Sequence, residues 1–149
     1  MAQNEYYPEE VLIEKMERGQ YGWLDYVNHF SPEWQEEYTQ IPYPFAKYDL
    51  IILPEFQFGG MEHTGATLYT DGRMFLNENP TLNERLARSS LIAHETSHMW
   101  FGDFVTMEWF NDVWTKEVFA NYYASQIIKP LFPDCLLYTS PSPRDYAAS

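Results

Sequence analysis

Two histidines spaced four residues apart, with a glutamate between them, constrain this chain more than any other feature. The segment is His94-Glu95-Thr96-Ser97-His98, and on an α-helix residues four apart differ by roughly 40° of rotation. The two imidazoles therefore share one face, one turn apart. Glu95 lies roughly 100° round from His94, which suits a base that holds a water molecule better than a third ligand. The pattern predicts a helix that carries two metal ligands and a base.

The surrounding sequence predicts two helices that pack against each other. Thr81-Leu82-Asn83-Glu84 has the capping-box pattern and starts the first helix. Asn111-Asp112 offers a second helix start, and residues 113–129 contain no glycine or proline. Glu117 follows the second histidine after eighteen intervening residues and falls in the second turn of this second helix. Two packed helices can therefore bring Glu117 to the histidine pair.

Two imidazoles and one carboxylate form a ligand set typical of zinc. Three protein ligands leave a tetrahedral Zn²⁺ with one open position for water, which is the pattern of catalytic sites. We therefore predict one zinc ion held by His94, His98 and Glu117, with Glu95 as the catalytic base. The alternative is a pair of surface histidines and a solvated glutamate.

A second motif lies upstream, after an apolar stretch, Tyr48–Leu53, that predicts a buried strand. It is Gly59-Gly60-Met61-Glu62-His63. With both motifs in this order, the sequence resembles the zinc aminopeptidases of the gluzincin group, which carry G-x-M-E-N ahead of H-E-x-x-H, eighteen residues and a glutamate. His63 departs from that pattern, because the family usually has asparagine there. Four flanking stretches also match: Ile41 to Phe45, Lys47 to Asp49, His98 to Gly102 and Trp114 to Glu117.

The resemblance implies an α+β, thermolysin-like catalytic domain in which a small sheet is followed by two metal-binding helices. It implies an aminopeptidase that releases N-terminal residues from peptides. Glu62 would anchor the free α-ammonium, and glycine backbone would lie close to an extended substrate. The predicted substrate-binding residues are Gly59, Gly60, Met61, Glu62 and His63. In the family a downstream tyrosine supports the transition state, but helical rotation turns Tyr122 and Tyr123 away from Glu117.

Two other functions are compatible with these residues. One is a zinc endopeptidase with the same ligand set, for which an amine anchor at Glu62 would serve no purpose. The other is a non-catalytic fragment that binds zinc or nothing, consistent with the missing tyrosine. The resemblance covers about residues 41–133 well, and we predict that residues 1–134 are a catalytic domain truncated at both ends.

We predict a different origin for the last fifteen residues than for the rest of the chain. Residues 135–145 match the translation of a transposase-type sequencing adapter, so we predict that residues 135–149 are a non-native, disordered tail. The whole chain has nine basic and twenty-two acidic residues and a net charge of −13. This charge disfavours nucleic acids and anionic membranes as partners, and no segment is apolar enough to span a membrane. We expect peptides with a free N-terminus as substrates.

The remaining sequence predicts further elements and an incompletely covered surface. We expect a helix over Glu9–Phe30 with a break at one of its glycines, and a short helix from Ser31-Pro32 to Tyr38. Besides Tyr48–Leu53, strands are expected at Ala66–Thr70 and Arg73–Leu76, with Asp71-Gly72 as the hairpin turn between them. Aromatic residues make up 18% of the chain. We expect three tryptophans near the metal helices to lie on exposed apolar surface: Trp100, Trp109 and Trp114.

Overall fold

The computed structural model describes residues 23–132. Its first element is helix α1, Trp23–Thr39, which runs through Pro32 without a break. The predicted new helix at Ser31-Pro32 is therefore wrong, and most of the predicted helix over Glu9–Phe30 lies outside the described residues. Val27, Ser31 and Gln35 are fully buried at four-residue spacing. Burial of this one face stabilises a continuous helix across Pro32, which lacks a backbone donor.

A three-stranded sheet follows, with strand order β1-β3-β2. Strand β1 is Asp49–Leu53, β2 is Gly60–Met61 and β3 is Ala66–Thr70. Strand β3 lies in the centre, parallel to β1 and antiparallel to β2. The two-residue strand β2 therefore forms one edge of the sheet and carries part of the glycine motif to that edge.

Two strand predictions are wrong. Residues Asp71–Met74 form a single helical turn, α2, so Asp71-Gly72 is no hairpin turn. The Asp71 side chain accepts a hydrogen bond from the Gly72 N–H at 2.7 Å, and this local bond favours the start of a helical turn as well as a hairpin. Strand β1 is also not buried, because it lies at the other edge of the sheet and leaves Ile51 37% exposed.

The two predicted metal-binding helices are present. Helix α3 is Leu82–His98, and its N-terminus has the complete capping box between Thr81 and Glu84. A 3₁₀ turn, Phe110–Asp112, leads into helix α4, Val113–Ile128. The α+β arrangement of a small sheet followed by two helices is thus confirmed for the described residues.

Helix α3 lies at the centre of the packing. On one side Ala93 packs against Ala124, Ile127 and Ile128 of α4. On the other side Ile92 belongs to a buried cluster with Val27 of α1, Tyr69 of β3 and Met74 of α2. The C-terminal turn of α3, which carries the histidine motif, is therefore fixed from both sides. No helix within residues 23–132 is long and apolar enough to cross a lipid bilayer.

Candidate metal centre

The side chains of His94, His98 and Glu117 converge on one point between α3 and α4. The two histidine Nε2 atoms lie 3.1 Å apart. Glu117 Oε2 lies 3.3 Å from His94 Nε2 and 3.5 Å from His98 Nε2. Zinc binds nitrogen and oxygen at about 2.0–2.2 Å, so two ligand atoms at a tetrahedral angle lie about 3.3–3.6 Å apart. The two distances from Glu117 fall in this range and the Nε2–Nε2 distance is slightly shorter, so the three atoms lie close to the mutual spacing that a single tetrahedral ion requires.

The ring orientation of His98 is set by the turn that follows α3. Its side chain is almost completely buried, and Nδ1 lies 3.1 Å from the carbonyl oxygen of Phe101. A carbonyl only accepts hydrogen bonds, so Nδ1 carries the proton and Nε2 keeps its lone pair for a cation. Gly102, with φ at 144°, closes this turn, and a Cβ there would lie 3.2 Å from His98 Nδ1. The glycine thus leaves space for the histidine ring.

His94 is also held in the form that a metal needs. Burial, followed by the neighbouring His98, lowers the pKa of His94 below its usual value. Neutral imidazole is the form that coordinates a metal. Asn121, one turn after Glu117 on α4, is in hydrogen-bonding contact with His94 and opposes this shift.

Glu95 is buried beside the backbone of Gly60. Only 5% of the residue is exposed, and a Cβ built on Gly60 would lie 2.7 Å from the Glu95 carboxyl carbon. Burial, followed by the charges of Glu62 and Glu117, raises the pKa of Glu95 to about 8. The sequence suggested that the glycine serves close approach of a substrate, whereas here the missing side chain of Gly60 makes room for Glu95.

Glu62 is brought to the same centre but already has a cationic partner. An oxygen of Glu62 lies within 4.8 Å of ligand atoms of His98 and Glu117. Lys116 Nζ donates a hydrogen bond to Glu62 Oε1 and lies 3.7 Å from Glu117 Oε1. Burial is the largest single effect and would raise the pKa of Glu62, but the hydrogen bond from Lys116, a backbone hydrogen bond and nearby positive charge together outweigh it, so the pKa is lowered. Glu62 is thus held as an ionised carboxylate.

An open groove of about 440 Å³ runs beside the centre. Residues from the sheet edge form one wall, and residues of α3 and α4 form the other. Of the predicted site residues, Gly59, Gly60, His94 and Glu95 line it. The other lining residues are Phe58, Ser90, Leu91 and Asn121.

The other predicted substrate-binding residues, Met61 and His63, do not line the groove. Met61 pairs with Leu68 in the sheet, whereas His63 is exposed and does not line the groove. The His63 backbone instead closes a turn, because its N–H donates to the Met61 carbonyl and its own carbonyl accepts from Ala66. The structure brings Glu62 to the centre but leaves the His63 side chain outside it.

The predicted positions of Tyr123, Trp109 and Trp114 agree with the structure, whereas that of Trp100 does not. Tyr123 stacks on Phe101 with ring centroids 4.5 Å apart, as expected for a residue turned away from the centre. Trp109 and Trp114 are 67% and 61% exposed, as expected. The expectation for Trp100 is wrong, because it is buried and donates its indole N–H to the Ile41 carbonyl at 3.0 Å.

Lys116 and Asn121 were not singled out from the sequence. Lys116 precedes a predicted ligand, but whether its side chain reaches Glu62 depends on how α4 packs beside β2. Asn121 lies four residues after Glu117, so helical spacing alone places it on the same face. That spacing was the one available signal for Asn121.

Comparison with known proteins agrees with the centre described above. Residues 27–144 match the Peptidase family M1 domain. The chain therefore belongs to peptidase family M1, a family of zinc-binding metalloaminopeptidases. The match extends into the segment predicted to be an adapter-derived tail, and that origin stays a prediction.

Several curated aminopeptidases are similar to the chain. It is 40% identical over 101 residues to probable aminopeptidase 1 of Sulfurisphaera tokodaii, an alignment that covers 68% of this chain and 13% of the relative. It is 33% identical over 119 residues to leucyl aminopeptidase of Saccharolobus solfataricus, covering 80% and 15%. Human endoplasmic reticulum aminopeptidase 1 is 43% identical over 91 residues, covering 60% and 10%. The chain thus spans only a small part of the length of these relatives.

Proposed function

We propose that this chain carries the zinc centre and the amine-recognition site of an aminopeptidase with a thermolysin-like catalytic domain. His94, His98 and Glu117 would hold one Zn²⁺, Glu95 would act as the base, and Glu62 would bind the free α-ammonium of the substrate. The observation that carries this proposal is the spacing of 3.1–3.5 Å between the three ligand atoms. Family membership supports it.

The chain's own residues supply the proton transfers of peptide hydrolysis. When bound, Zn²⁺ polarises the attacking water and the scissile carbonyl. Glu95 accepts a proton from that water as the new carbon–oxygen bond forms, and it returns the proton to the leaving nitrogen as the carbon–nitrogen bond breaks. Its raised pKa suits a group that takes up and releases a proton near neutral pH.

Selection of the first peptide bond requires a group that recognises the chain end. Glu62 is an ionised carboxylate on the turn after β2, close to His98 and Glu117. An α-ammonium bound there would place the first carbonyl near the metal centre. The edge of β2 is open on one side in the described sheet, so an extended peptide could pair with it.

Zinc content tests the ligand assignment. We expect the protein expressed from its complete gene to retain one zinc ion per chain after dialysis, and His94→Ala to lose it. His29→Ala is the matched control, because His29 pairs with Glu33 on the surface of α1. Equal zinc content in the two variants would refute the assignment.

Substrate pairs test the amine anchor and the two alternative functions. We expect leucine 7-amido-4-methylcoumarin to be hydrolysed and its N-acetylated twin to be resistant. Leucine is chosen because one similar protein is named leucyl aminopeptidase. Equal cleavage of both would favour an endopeptidase, and zinc binding without turnover would favour a non-catalytic zinc protein. Glu95→Gln should retain zinc and lose most of kcat, since the three ligands are unchanged.

A further inference from the structure

The carboxylate proposed to receive the substrate's amine already binds a cation of this chain. Lys116 Nζ donates to Glu62 Oε1, and both side chains are mostly buried, 24% and 15% exposed. Lys116 also lies 3.7 Å from Glu117 Oε1. It therefore bridges the proposed amine anchor and a proposed metal ligand.

A lysine side chain and a peptide α-ammonium are chemically alike as ligands of a carboxylate. Each is a compact cation with three N–H donors and no acceptor. In a site shielded from water their mutual repulsion is stronger than in bulk solvent. Binding of a substrate amine at Glu62 is therefore in competition with the Lys116 contact.

The alternative partners of Lys116 make its displacement feasible. Glu117 Oε1 lies within reach on the same helix and is not the oxygen that faces the two histidines. Lysine has four rotatable bonds in its stem, so Nζ can leave Glu62 and stay near Glu117 without a backbone movement. The charge of Lys116 then remains within the site.

We propose that Lys116 is a resident cation of the amine anchor, which a free α-ammonium displaces from Glu62 when substrate binds. This inference rests on the proposed role of Glu62. It makes Lys116 a specificity-determining residue: it occupies Glu62 in the free protein and weakens the binding of every ligand whose amine needs that carboxylate.

Binding of a small amine measures this competition without turnover. The probe is L-leucinol, which has a free amine and no scissile amide, with N-acetyl-L-leucinol as the uncharged comparison. By calorimetry on the zinc-loaded protein, we expect Lys116→Met to bind leucinol about tenfold more tightly than the parent, and Lys116→Arg to resemble the parent. Binding of the N-acetylated compound should not change.

Lys47→Met is the matched control. Lys47 also pairs with a carboxylate, at 2.5 Å from Asp49 Oδ2, but on the exposed surface of the chain. The variant makes the same change of net charge away from the centre. We expect it to leave the leucinol Kd unchanged, so that a general effect of charge is separated from competition at Glu62.

The displacement itself has a chemical readout. The rate at which a succinimidyl acetate reagent acetylates Lys116, divided by its rate at Lys47, should rise severalfold when leucinol saturates the site. The ratio is followed by mass spectrometry and corrects for the reagent that the leucinol amine consumes. An unchanged ratio would show that the amine binds without displacing Lys116. Unchanged or weaker leucinol binding by Lys116→Met would equally overturn the inference.

A wrong assignment of Glu62 as the amine anchor would give a different result from a wrong assignment of Lys116. If the parent protein bound leucinol no better than its N-acetylated form, and Glu62→Gln made no difference, Glu62 would not be an amine anchor and both proposals would fall. If Glu62→Gln abolished leucinol binding while Lys116→Met left it unchanged, the anchor would stand and only the role of Lys116 would be refuted.

Discussion

Gly60→Ala tests directly whether the position of the Glu95 carboxyl group depends on the missing side chain of Gly60. The backbone of Gly60 lies outside the left-handed region, so alanine meets no conformational barrier there. Its new Cβ would, however, lie 2.7 Å from the Glu95 carboxyl carbon, whereas ordinary contact begins at 3.4 Å. The carboxyl group must therefore move by at least about 0.7 Å, because side chains yield more readily than a strand backbone.

The expected effect is on the chemical step rather than on folding. A misplacement of about 1 Å at a reacting group can cost about a hundredfold in rate. We therefore expect Gly60→Ala to lower kcat about 30- to 100-fold, which corresponds to about 2–3 kcal/mol in the activation barrier. Zinc content should stay at one ion per chain, since the substitution touches none of the three proposed ligands.

The neighbouring glycine provides the control. A Cβ on Gly59 would meet the Leu91 methyl groups at 3.6 and 3.7 Å, which is ordinary contact. Gly59→Ala should therefore change kcat less than about threefold. The assay is steady-state hydrolysis of leucine 7-amido-4-methylcoumarin together with zinc analysis of both variants. Parental kcat in Gly60→Ala, or loss of zinc, would refute the argument that this glycine acts by making room for Glu95.

Two further predictions concern stability and are measured by denaturant unfolding. Ile92 of α3 is fully buried against Val27 of α1 and Tyr69 of the sheet, so Ile92→Ala should lower the free energy of unfolding by about 2–5 kcal/mol. Val118→Ala, at a 53% exposed position, should change it by less than about 0.5 kcal/mol, and equal effects would contradict the described core. Hydrogen bonds from the side chain and backbone of Thr81 lower the pKa of Glu84 below its usual value of 4.5. The ionised Glu84 therefore stabilises the folded protein above pH 4.5, and this stabilisation is lost as pH falls through the lower folded-state pKa. Glu84→Gln should therefore be less stable than the parent at pH 7, and a difference that persisted undiminished at pH 2 would refute the capping box as its cause.

The elements that the sequence predicted well are those fixed by local signals. The capping box at Thr81 and the four-residue spacing of His94 and His98 depend on neighbours along one helix, and both are present in α3. The approach of Glu117 also followed from the order of elements along the chain, because two consecutive helices are expected to pack against each other. These signals were enough to predict that the side chains of His94, His98 and Glu117 lie together.

The failures come from places where tertiary packing decides between local alternatives. Pro32 is a frequent helix start, but burial of the Val27, Ser31 and Gln35 face extends α1 through it. Asp71-Gly72 suits a hairpin or a helical turn, and burial of Met74 accompanies the turn. The contact between Lys116 and Glu62 joins residues 54 positions apart. No local pattern encodes such a contact.

The end of helix α3 has an electrostatic consequence of its own. Because the helix ends at His98, its C-terminus lies in the same turn as both histidines, and the carbonyls of Thr96, Ser97 and His98 accept hydrogen bonds from backbone N–H groups of the following turn. Aligned peptide dipoles give such an end the equivalent of about half a negative charge. The negative end of this dipole would therefore favour a divalent cation at the proposed site in addition to the Glu117 carboxylate, whereas a helix that entered the site by its N-terminus would oppose the same ion.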